Sequence, residues 1–266
     1  MQPQYAKGGR RSGQGGFTLV EMAVVLVIIG VILGAVMIGR DVQRNAEYTR
    51  IKQKFVDQWV VAYNTYTQRL GAPVGDSQVA PQLMVNGANF SGISGGDMSG
   101  ATEPKAICGN PAPSATAGFD RGAESDAKFI LRDLVLKAGI TLPPGRGEGL
   151  EDRYVYLDTN GNPQEIQVCF QWNKPGTTSG SGNVMVLTGL TPDLARALDQ
   201  AVDGAPDARN GAFRQKGVVA GTNNEGVQWL GNNTNSFGDT GTDQAEEAAT
   251  DADQVMTLVA HYKMNQ

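Results

Sequence analysis

The chain has 266 residues, of which 40% are hydrophobic, and its formal net charge is −5. This length allows one large folded domain or two small ones. The acidic balance and the scattered basic residues argue against broad electrostatic binding of polyanions, so nucleic acid is not an expected partner.

The N-terminus combines a basic segment with a long apolar segment. Residues 1–16 are polar and carry Lys7, Arg10 and Arg11 without an acid, whereas residues 17–39 (FTLVEMAVVLVIIGVILGAVMIG) are almost entirely apolar. A helix that rises about 1.5 Å per residue over such a segment matches a bilayer hydrocarbon thickness of about 30 Å. The basic flank favours a cytoplasmic N-terminus, so we expect a single membrane span with the rest of the chain outside the cytoplasm.

Two small residues, Gly15 and Gly16, precede the apolar segment, and one carboxylate, Glu21, lies inside it. An ordinary secretory signal has its small-residue cleavage site after the apolar segment, so this arrangement is typical of a type III signal instead. The stretch GGFTLVEMAVVLVIIGVILG resembles the N-terminus of type IV pilins and of type II secretion pseudopilins. The resemblance implies that prepilin peptidase cleaves between Gly16 and Phe17, methylates the amino group of Phe17 and leaves the 1–16 leader in the cytoplasm.

An ionisable group within a membrane span is costly, so Glu21 needs a functional partner. We predict that Glu21 of one subunit pairs with the Phe17 amine of another, because a misplaced subunit would leave both charges unpaired. The alternative is that Glu21 only extends to a membrane surface. Gly30 and Gly34 form a G-x-x-x-G spacing that lets apolar helices approach closely. Related helices often carry a later proline, which this chain lacks before Pro73, so whether the helix melts on assembly stays open.

Residues 40–70 are more polar but keep a helical period. Their apolar stripe consists of Ile51, Phe55, Trp59, Ala62, Tyr63, Tyr66 and Leu70. We expect this amphipathic continuation of the helix to end near Gly71 and Pro73, with a β-sheet packed across the stripe. A ligand or electron-transfer track is the alternative. The resemblance implies the same α+β class, the type IV pilin fold, in which a long N-terminal α-helix packs on an antiparallel β-sheet head.

Residues 71–124 are rich in Gly, Pro, Ser, Ala and Asn, and we predict a connecting region folded onto the surface. The two cysteines, Cys108 and Cys169, lie beyond the span, in a compartment that favours disulfides. We expect them to be bonded to each other, which would close a loop of about 60 residues. Two separate buried thiols are the alternative.

Residues 125–266 are predicted to form an α+β globular head with two helices, over 125–138 and over 194–202. The predicted cap and stop residues of these helices are Ser125 or Asp126, Gly139, Thr191 and Gly204, with Pro192 in the first turn of the second helix. Strand patterns occur, in chain order, at YVYLD, EIQVCFQW, NVMVLTG, FRQKGVVAG, VQWLG and VMTLVAHY. Asn160–Gly161 predicts a hairpin turn between the first two strands.

Two groups of acidic residues lie in polar segments that contain glycine. The first group is Asp199, Asp203 and Asp207, and the second is Asp239, Asp243, Asp251 and Asp253. Clustered acids with glycine supply candidate ligands for Ca²⁺, and the second group is faintly similar to the calcium loop of major pseudopilins, although its spacing differs. Surface caps and a solvated loop are the simpler interpretations, so we expect no cofactor, with Ca²⁺ as the alternative.

Catalytic chemistry has little support in the sequence. The only histidine is His261, which lies in a predicted terminal strand without a recognisable catalytic partner. No Walker loop or C-x-x-C motif occurs. We therefore interpret the chain as a non-enzymatic protein.

The resemblance implies a structural subunit, a major or minor pilin of a type IV pilus that serves in attachment or motility. Its partners would be other pilin subunits, prepilin peptidase and the assembly platform of the inner membrane. The head would be periplasmic before assembly, and the subunit would then join an extracellular pilus or a periplasmic pseudopilus. The alternatives are a type II secretion pseudopilin, a minor pilin that binds DNA or a surface, and, least favoured, an anchored periplasmic hydrolase.

Overall fold

The computed structural model describes residues 16–90, 92, 95–109, 130–218, 226–231 and 256–264. The chain divides into two compact units, Met1–Ala46 and Glu47–Gln266. The described part of the first unit consists mainly of the apolar portion of helix α1 (Leu19–Ile51). The second unit contains the end of that helix and the described β-sheet. This combination of a long N-terminal helix with an antiparallel sheet confirms the predicted α+β, pilin-like arrangement.

Helical structure continues from α1 through a π-helical turn (Lys52–Val56) into helix α2 (Asp57–Leu70). The helix ends at Gly71, which adopts the left-handed conformation with φ 69° and donates its N–H to the Thr67 carbonyl at 2.8 Å. Glycine tolerates this conformation without a steric penalty. The predicted end of the helix is therefore confirmed.

The π-helical turn was not predicted from the sequence. Ile51, Phe55 and Trp59 are spaced four residues apart, and in a regular α-helix each such step rotates about 40° beyond a full turn. A π-helical turn is wider and offsets that rotation, so all three side chains stay buried. The same turn brings Lys52 and Asp57, five residues apart, together: the Lys52 Nζ lies 2.9 Å and 3.0 Å from the two carboxylate oxygens.

The described sheet has six strands: β1 (Ile107–Cys108), β2 (Arg153–Leu157), β3 (Pro163–Asn173), β4 (Gly182–Leu190), β5 (Phe213–Gln215) and β6 (Leu258–Lys263). All pairs are antiparallel, the strand order is β1-β3-β4-β6-β5, and β2 also pairs with β3. Helices α3 (Leu131–Lys137) and α4 (Pro192–Asp203) complete the head. Burial is complete along β4, as expected for a central strand.

Aromatic contacts hold the helix against the sheet. The ring of Phe55 lies 5.4 Å from that of Tyr154, and the ring of Tyr63 lies 5.0 Å from that of Phe170. The Trp59 ring lies 6.3 Å from the same Phe170. Pairs of this kind contribute about 0.5–1.5 kcal/mol each beyond the area that they bury. The predicted stripe is therefore part of the head core.

The predicted hairpin and disulfide are both present. Gly161 has φ 83° and donates its N–H to the Asp158 carbonyl at 3.0 Å, which closes the turn between β2 and β3. Cys108 and Cys169 face each other across the β1–β3 pair, form a disulfide and are buried. The disulfide thus fixes the two-residue strand β1 to the centre of the sheet.

Helix α3 begins later than predicted. Ile130 is extended (φ −75°, ψ 125°) and occupies the N-cap position, so the helix starts at Leu131. Ser125 and Asp126, the predicted caps, lie outside the described residues. Leu131 and Val135, one turn apart, are the buried residues of α3, which indicates that the short helix is positioned by these core contacts. Gly139 follows the helix with φ 69°, as predicted.

The segment VQWLG (residues 227–231) is not a strand, contrary to the prediction. The side-chain amide of Gln215 replaces a strand ladder here: it donates to the Leu230 carbonyl at 2.7 Å and accepts the Leu230 N–H at 3.1 Å. Trp229 is fully buried, with its ring 5.3 Å from that of Phe213. The neighbouring pattern FRQKGVVAG forms a strand only at β5 within the described residues.

The region after α2 is more than a surface connection, which corrects the sequence interpretation. Val74, Met84 and Val85 are buried in the main core, and Ile107 and Cys108 form β1. A composition rich in Gly, Pro and Asn predicts irregular backbone but does not exclude burial. Irregular segments contribute to a core wherever their few apolar side chains find a sheet to cover.

Candidate functional site

The start of helix α1 is closed by a reciprocal pair of hydrogen bonds between Thr18 and Glu21. The Thr18 N–H donates to Glu21 Oε2 at 2.8 Å, and the Glu21 N–H donates to Thr18 Oγ1 at 3.2 Å. The Thr18 hydroxyl also donates to Glu21 Oε2 at 3.0 Å. This is a capping box, in which the first and fourth residues satisfy backbone N–H groups that the helix leaves unpaired.

The capping box leaves one oxygen of Glu21 available. Both bonds from Thr18 go to Oε2, and Oε1 has no hydrogen bond within the described part of the chain. The side chain is exposed, so a donor from outside the chain has access to Oε1. The arrangement therefore orients the carboxylate and leaves Oε1 able to accept a further hydrogen bond.

Gly16 and Phe17 lie before the helix and are exposed. The Phe17 side chain is 81% exposed, and apart from Gly16 and its chain neighbours nothing lies within 4 Å of the position that a Gly16 Cβ would occupy. A peptide bond in this irregular, uncovered segment is accessible to a protease in a way that a helical bond is not. Cleavage between these residues and methylation of Phe17 stay predictions.

The apolar part of α1 is exposed on all sides within its own unit. The 18-residue window that defines it has a mean hydropathy of 2.9 and none of it is buried, and the helix that contains it is long and apolar enough to cross a membrane. Soluble monomers rarely expose contiguous apolar patches of more than a few hundred Å². The segment therefore requires lipid or other protein to cover it, which is compatible with anchoring by a single span.

Gly30 and Gly34 lie in this exposed part of α1, and apart from the chain neighbours and the adjacent helix backbone nothing lies within 4 Å of either position where a Cβ would be. Their missing side chains leave a shallow face that another helix can approach. Helix packing at these glycines stays a prediction.

The first acidic group is only partly at the surface. Asp203 and Asp207 are cap-like: Asp203 accepts the N–H groups of Ala212 and Phe213, and Asp207 accepts those of Arg209, Asn210 and Gly226. Asp199, in contrast, is fully buried, so its interpretation as a surface cap is wrong.

The described residues contain no group of three or more His, Cys, Asp or Glu side chains that could hold a metal ion. The second acidic group, Asp239, Asp243, Asp251 and Asp253, lies outside those residues. Calcium at that group therefore stays a proposal without structural support.

His261 belongs to a buried polar cluster in the sheet. Its Nδ1 lies 2.7 Å from Ser179 Oγ and 3.1 Å from Asn173 Nδ2. Burial, together with the charge of Lys216, lowers the pKa of His261 to about 3, so the imidazole is neutral. Serine and histidine are the residue types of a hydrolase, but both side chains are buried here, where a substrate has no access.

Sequence reasoning found Gly16, Phe17 and Glu21 but missed Thr18. The signal was present, because T-x-x-E directly before an apolar run is the pattern of a capping box. The sequence prediction gives Glu21 an intermolecular partner, with extension to a membrane surface as the alternative. The structure adds an intramolecular partner three residues away.

Residues 11–37 match the family model described as the prokaryotic N-terminal methylation motif. This motif is the class III prepilin signal of type IV pilins and pseudopilins, so the resemblance of the N-terminus is confirmed. It points to a structural subunit that prepilin peptidase processes and that assembles with other pilin subunits. The chain has no match among curated proteins or among solved structures.

Proposed function

We propose that the chain is a structural subunit, a major or minor pilin, of a type IV pilus filament. Prepilin peptidase removes the leader after Gly16 and methylates Phe17, and the assembly platform then inserts the subunit through its N-terminal helix. The observation that carries this proposal is the exposed apolar helix, most of whose apolar part lies within the matched prepilin motif. Membrane burial before assembly is replaced by burial among neighbouring helices in the filament.

The energetic argument rests on the apolar side chains of α1. Fifteen large apolar residues between Leu19 and Ile38 are at least 44% exposed. Burial of such a side chain contributes about 1.5–3 kcal/mol, so the segment carries on the order of tens of kcal/mol for association with lipid or with other helices. A filament subunit needs such an exposed apolar surface, because the same surface is covered by lipid before assembly and by neighbouring helices in the filament.

Glu21 supplies the register in this proposal. The new Phe17 amine would be cationic and close to apolar surroundings, where an unpaired charge costs several kcal/mol. Glu21 Oε1 is free within the described chain, and Thr18 holds the other oxygen. A carboxylate positioned in this way favours one axial offset between subunits, since every other offset leaves two charges unpaired.

The head supports a pilus rather than a compact pseudopilin. Within the described residues, a long segment with little regular structure follows α2, and buried side chains of residues 71–90 join it to the core. Such segments are suited to contacts between heads or with a surface. A type II secretion pseudopilin is the alternative, and the N-terminal motif is common to both.

Intact-mass analysis of material sheared from the cell surface, compared with the membrane fraction, tests this function. We expect the sheared material to contain a species that starts at methylated Phe17. The same species confined to membranes would favour the pseudopilin. An uncut form that starts at Met1 in both fractions would overturn the proposal.

A further inference from the structure

Two carboxylates meet at the C-terminal end of helix α4. Asp199 and Asp203 are four residues apart in α4, a spacing that makes them neighbours on one face of the helix. Asp199 is 0% exposed, whereas Asp203 is exposed. We call these two residues the α4 acid pair.

One oxygen of Asp199 is satisfied and the other is not. Oδ2 accepts the Asp207 N–H at 2.6 Å and the Trp229 indole N–H at 3.0 Å. Oδ1 is buried and has no hydrogen-bond partner within the part of the chain that the structure describes. An ionised carboxylate can only accept hydrogen bonds, so two ionised carboxylates cannot hydrogen-bond to each other. If one of them is protonated, its O–H can donate to the other.

The hydrogen bonds of Asp203 identify it as the acceptor. Its oxygens accept the Ala212 N–H at 2.9 Å and 3.1 Å, and Oδ2 also accepts the Phe213 N–H at 2.9 Å. These bonds use Asp203 as an acceptor, whereas Asp199 is fully buried. Full burial favours the neutral form of a carboxyl group, so the proton belongs on Asp199.

We propose that Asp199 carries a proton in the folded head and donates it from Oδ1 to Asp203, so that the α4 acid pair is a pH-dependent clamp. The clamp joins α4 to the loop that follows it, through the N–H groups of Asp207, Ala212 and Phe213, and to Trp229. Ionisation of Asp199 would place two negative charges side by side, one of them fully buried. The loop and Trp229 are then expected to loosen from α4.

Electrostatics support this geometry. Burial, with the Asp203 carboxylate acting in the same direction, raises the pKa of Asp199 to about 7, although its two N–H donors oppose the shift. The other described ionisable groups on α4 and the surrounding elements are Asp193 and Arg196 on the helix, Asp207 and Arg209 in the loop after it, Arg214 and Lys216 at β5, and His261, Tyr262 and Lys263 on β6.

Neither Asp207 nor Tyr262 is expected to change its charge between pH 5 and pH 8. Partial burial acts to raise the pKa of Asp207. The N–H groups that donate to its carboxylate outweigh burial and hold this pKa below the ordinary value. Burial raises the pKa of Tyr262. Arginine stays charged throughout this range. Asp199 is therefore the group in this cluster to which a transition near neutral pH belongs.

The proton makes folding pH-dependent. The ordinary pKa of Asp199 is 3.8 and the folded value is about 7, so between these values the folded state binds a proton that the unfolded state lacks. The stabilisation is complete below the unfolded pKa and is lost as pH rises through the folded pKa. The equilibrium constant for unfolding should increase by up to tenfold per pH unit in this interval.

Urea unfolding of the full chain in detergent, followed by tryptophan fluorescence at pH 5, 6, 7 and 8, tests the clamp in wild type, Asp199→Asn and Asp207→Asn. The amide of the first variant accepts from Asp207 and Trp229 and donates to Asp203, so it mimics the protonated acid. Between pH 5 and pH 8 its unfolding midpoint should fall less than that of wild type, and at pH 8 it should equal or exceed the wild-type value. Asp207→Asn, the control, should keep the wild-type pH slope at reduced stability.

The proposal is overturned if Asp199→Asn keeps the wild-type pH slope or is less stable than wild type at pH 8. A second result would also overturn the proposal. If added Ca²⁺ at pH 8 stabilised wild type but not Asp199→Asn, Oδ1 would be a cation ligand. An infrared measurement on wild type needs no variant. A protonated carboxyl band should be present at pH 6, where exposed carboxyls are ionised, and absent at pH 9; its absence at pH 6 refutes the clamp.

Discussion

Replacement of Glu21 by Gln separates two roles of this side chain. Glu21 caps its own helix through Thr18 and, in the proposed filament, pairs with the Phe17 amine of a neighbour. Glutamine keeps an acceptor oxygen and serves in a capping box as glutamate does, but it carries no charge. Loss of one partner of a buried ion pair costs about 3–5 kcal/mol. This is equivalent to a decrease of about 100-fold or more in the equilibrium for adding a subunit.

Replacement of Thr18 by Val makes the opposite change. It removes the hydroxyl that accepts the Glu21 N–H, but it keeps the backbone bond from residue 18 to Glu21 Oε2 and the negative charge. Loss of an N-cap hydroxyl costs about 1 kcal/mol, which corresponds to a decrease of about fivefold in the equilibrium for adding a subunit. Thr18→Ser keeps the hydroxyl and is the matched control.

The assay is the ratio of sheared filament protein to processed protein in the membrane, with intact mass used to confirm cleavage. We expect Glu21→Gln to be cleaved but nearly devoid of filaments, Thr18→Val to retain a substantial fraction, and Thr18→Ser to match wild type. Wild-type filament yield from Glu21→Gln would refute charge pairing and leave capping as the role of this residue.

Three further changes probe the leader and the head. A bulky residue at Gly16, such as Leu, should leave the uncut precursor in the membrane, and a mature mass from this variant would contradict peptidase processing. Replacement of Cys108 and Cys169 together by Ala should lower the free energy of unfolding by about 4 kcal/mol, because the disulfide closes a loop of about 60 residues. Reductant should reproduce that loss in wild type, and an equal denaturation midpoint with and without reductant would contradict it. Tyr156→Phe should lower the free energy of unfolding in urea by about 2 kcal/mol. The buried Tyr156 hydroxyl donates to the Gly189 carbonyl at 3.0 Å and accepts the Thr191 N–H at 2.9 Å. The control, Tyr154→Phe at a less buried position, should lower it by less.

The regular elements with a clear period were predictable from the sequence. The end of the long helix, the hairpin at Gly161 and helix α4 between Thr191 and Gly204 all lie where local patterns place them. Thr191 occupies the N-cap position, but its hydroxyl makes no capping bond to the first turn of α4; its own N–H donates to the Tyr156 hydroxyl. Local rules thus found the boundary, and a tertiary contact rather than a side-chain cap holds Thr191 there.

Features that depend on distant residues were not predictable in this way. The pattern VQWLG has a strand-like composition, yet the Gln215 amide takes the backbone bonds that a neighbouring strand would have made. Asp199 looks like a surface acid on a polar helix, and only the packing of Trp229 over α4 shows that it is buried. In both cases the deciding contact comes from a residue fifteen or thirty positions away.

The helical residues carry two different patterns, and each indicates what has to cover it. Between Leu19 and Ile38 the side chains are apolar on every face, which suits surroundings without a preferred side, such as lipid or a bundle of helices. From Tyr48 to Tyr66 burial is confined to one stripe, which suits a single sheet. The π-helical turn at Lys52–Val56 lies in the second segment only, where a stripe must stay in line. A helix covered on all sides has no stripe to keep in register, so the first segment needs no such correction.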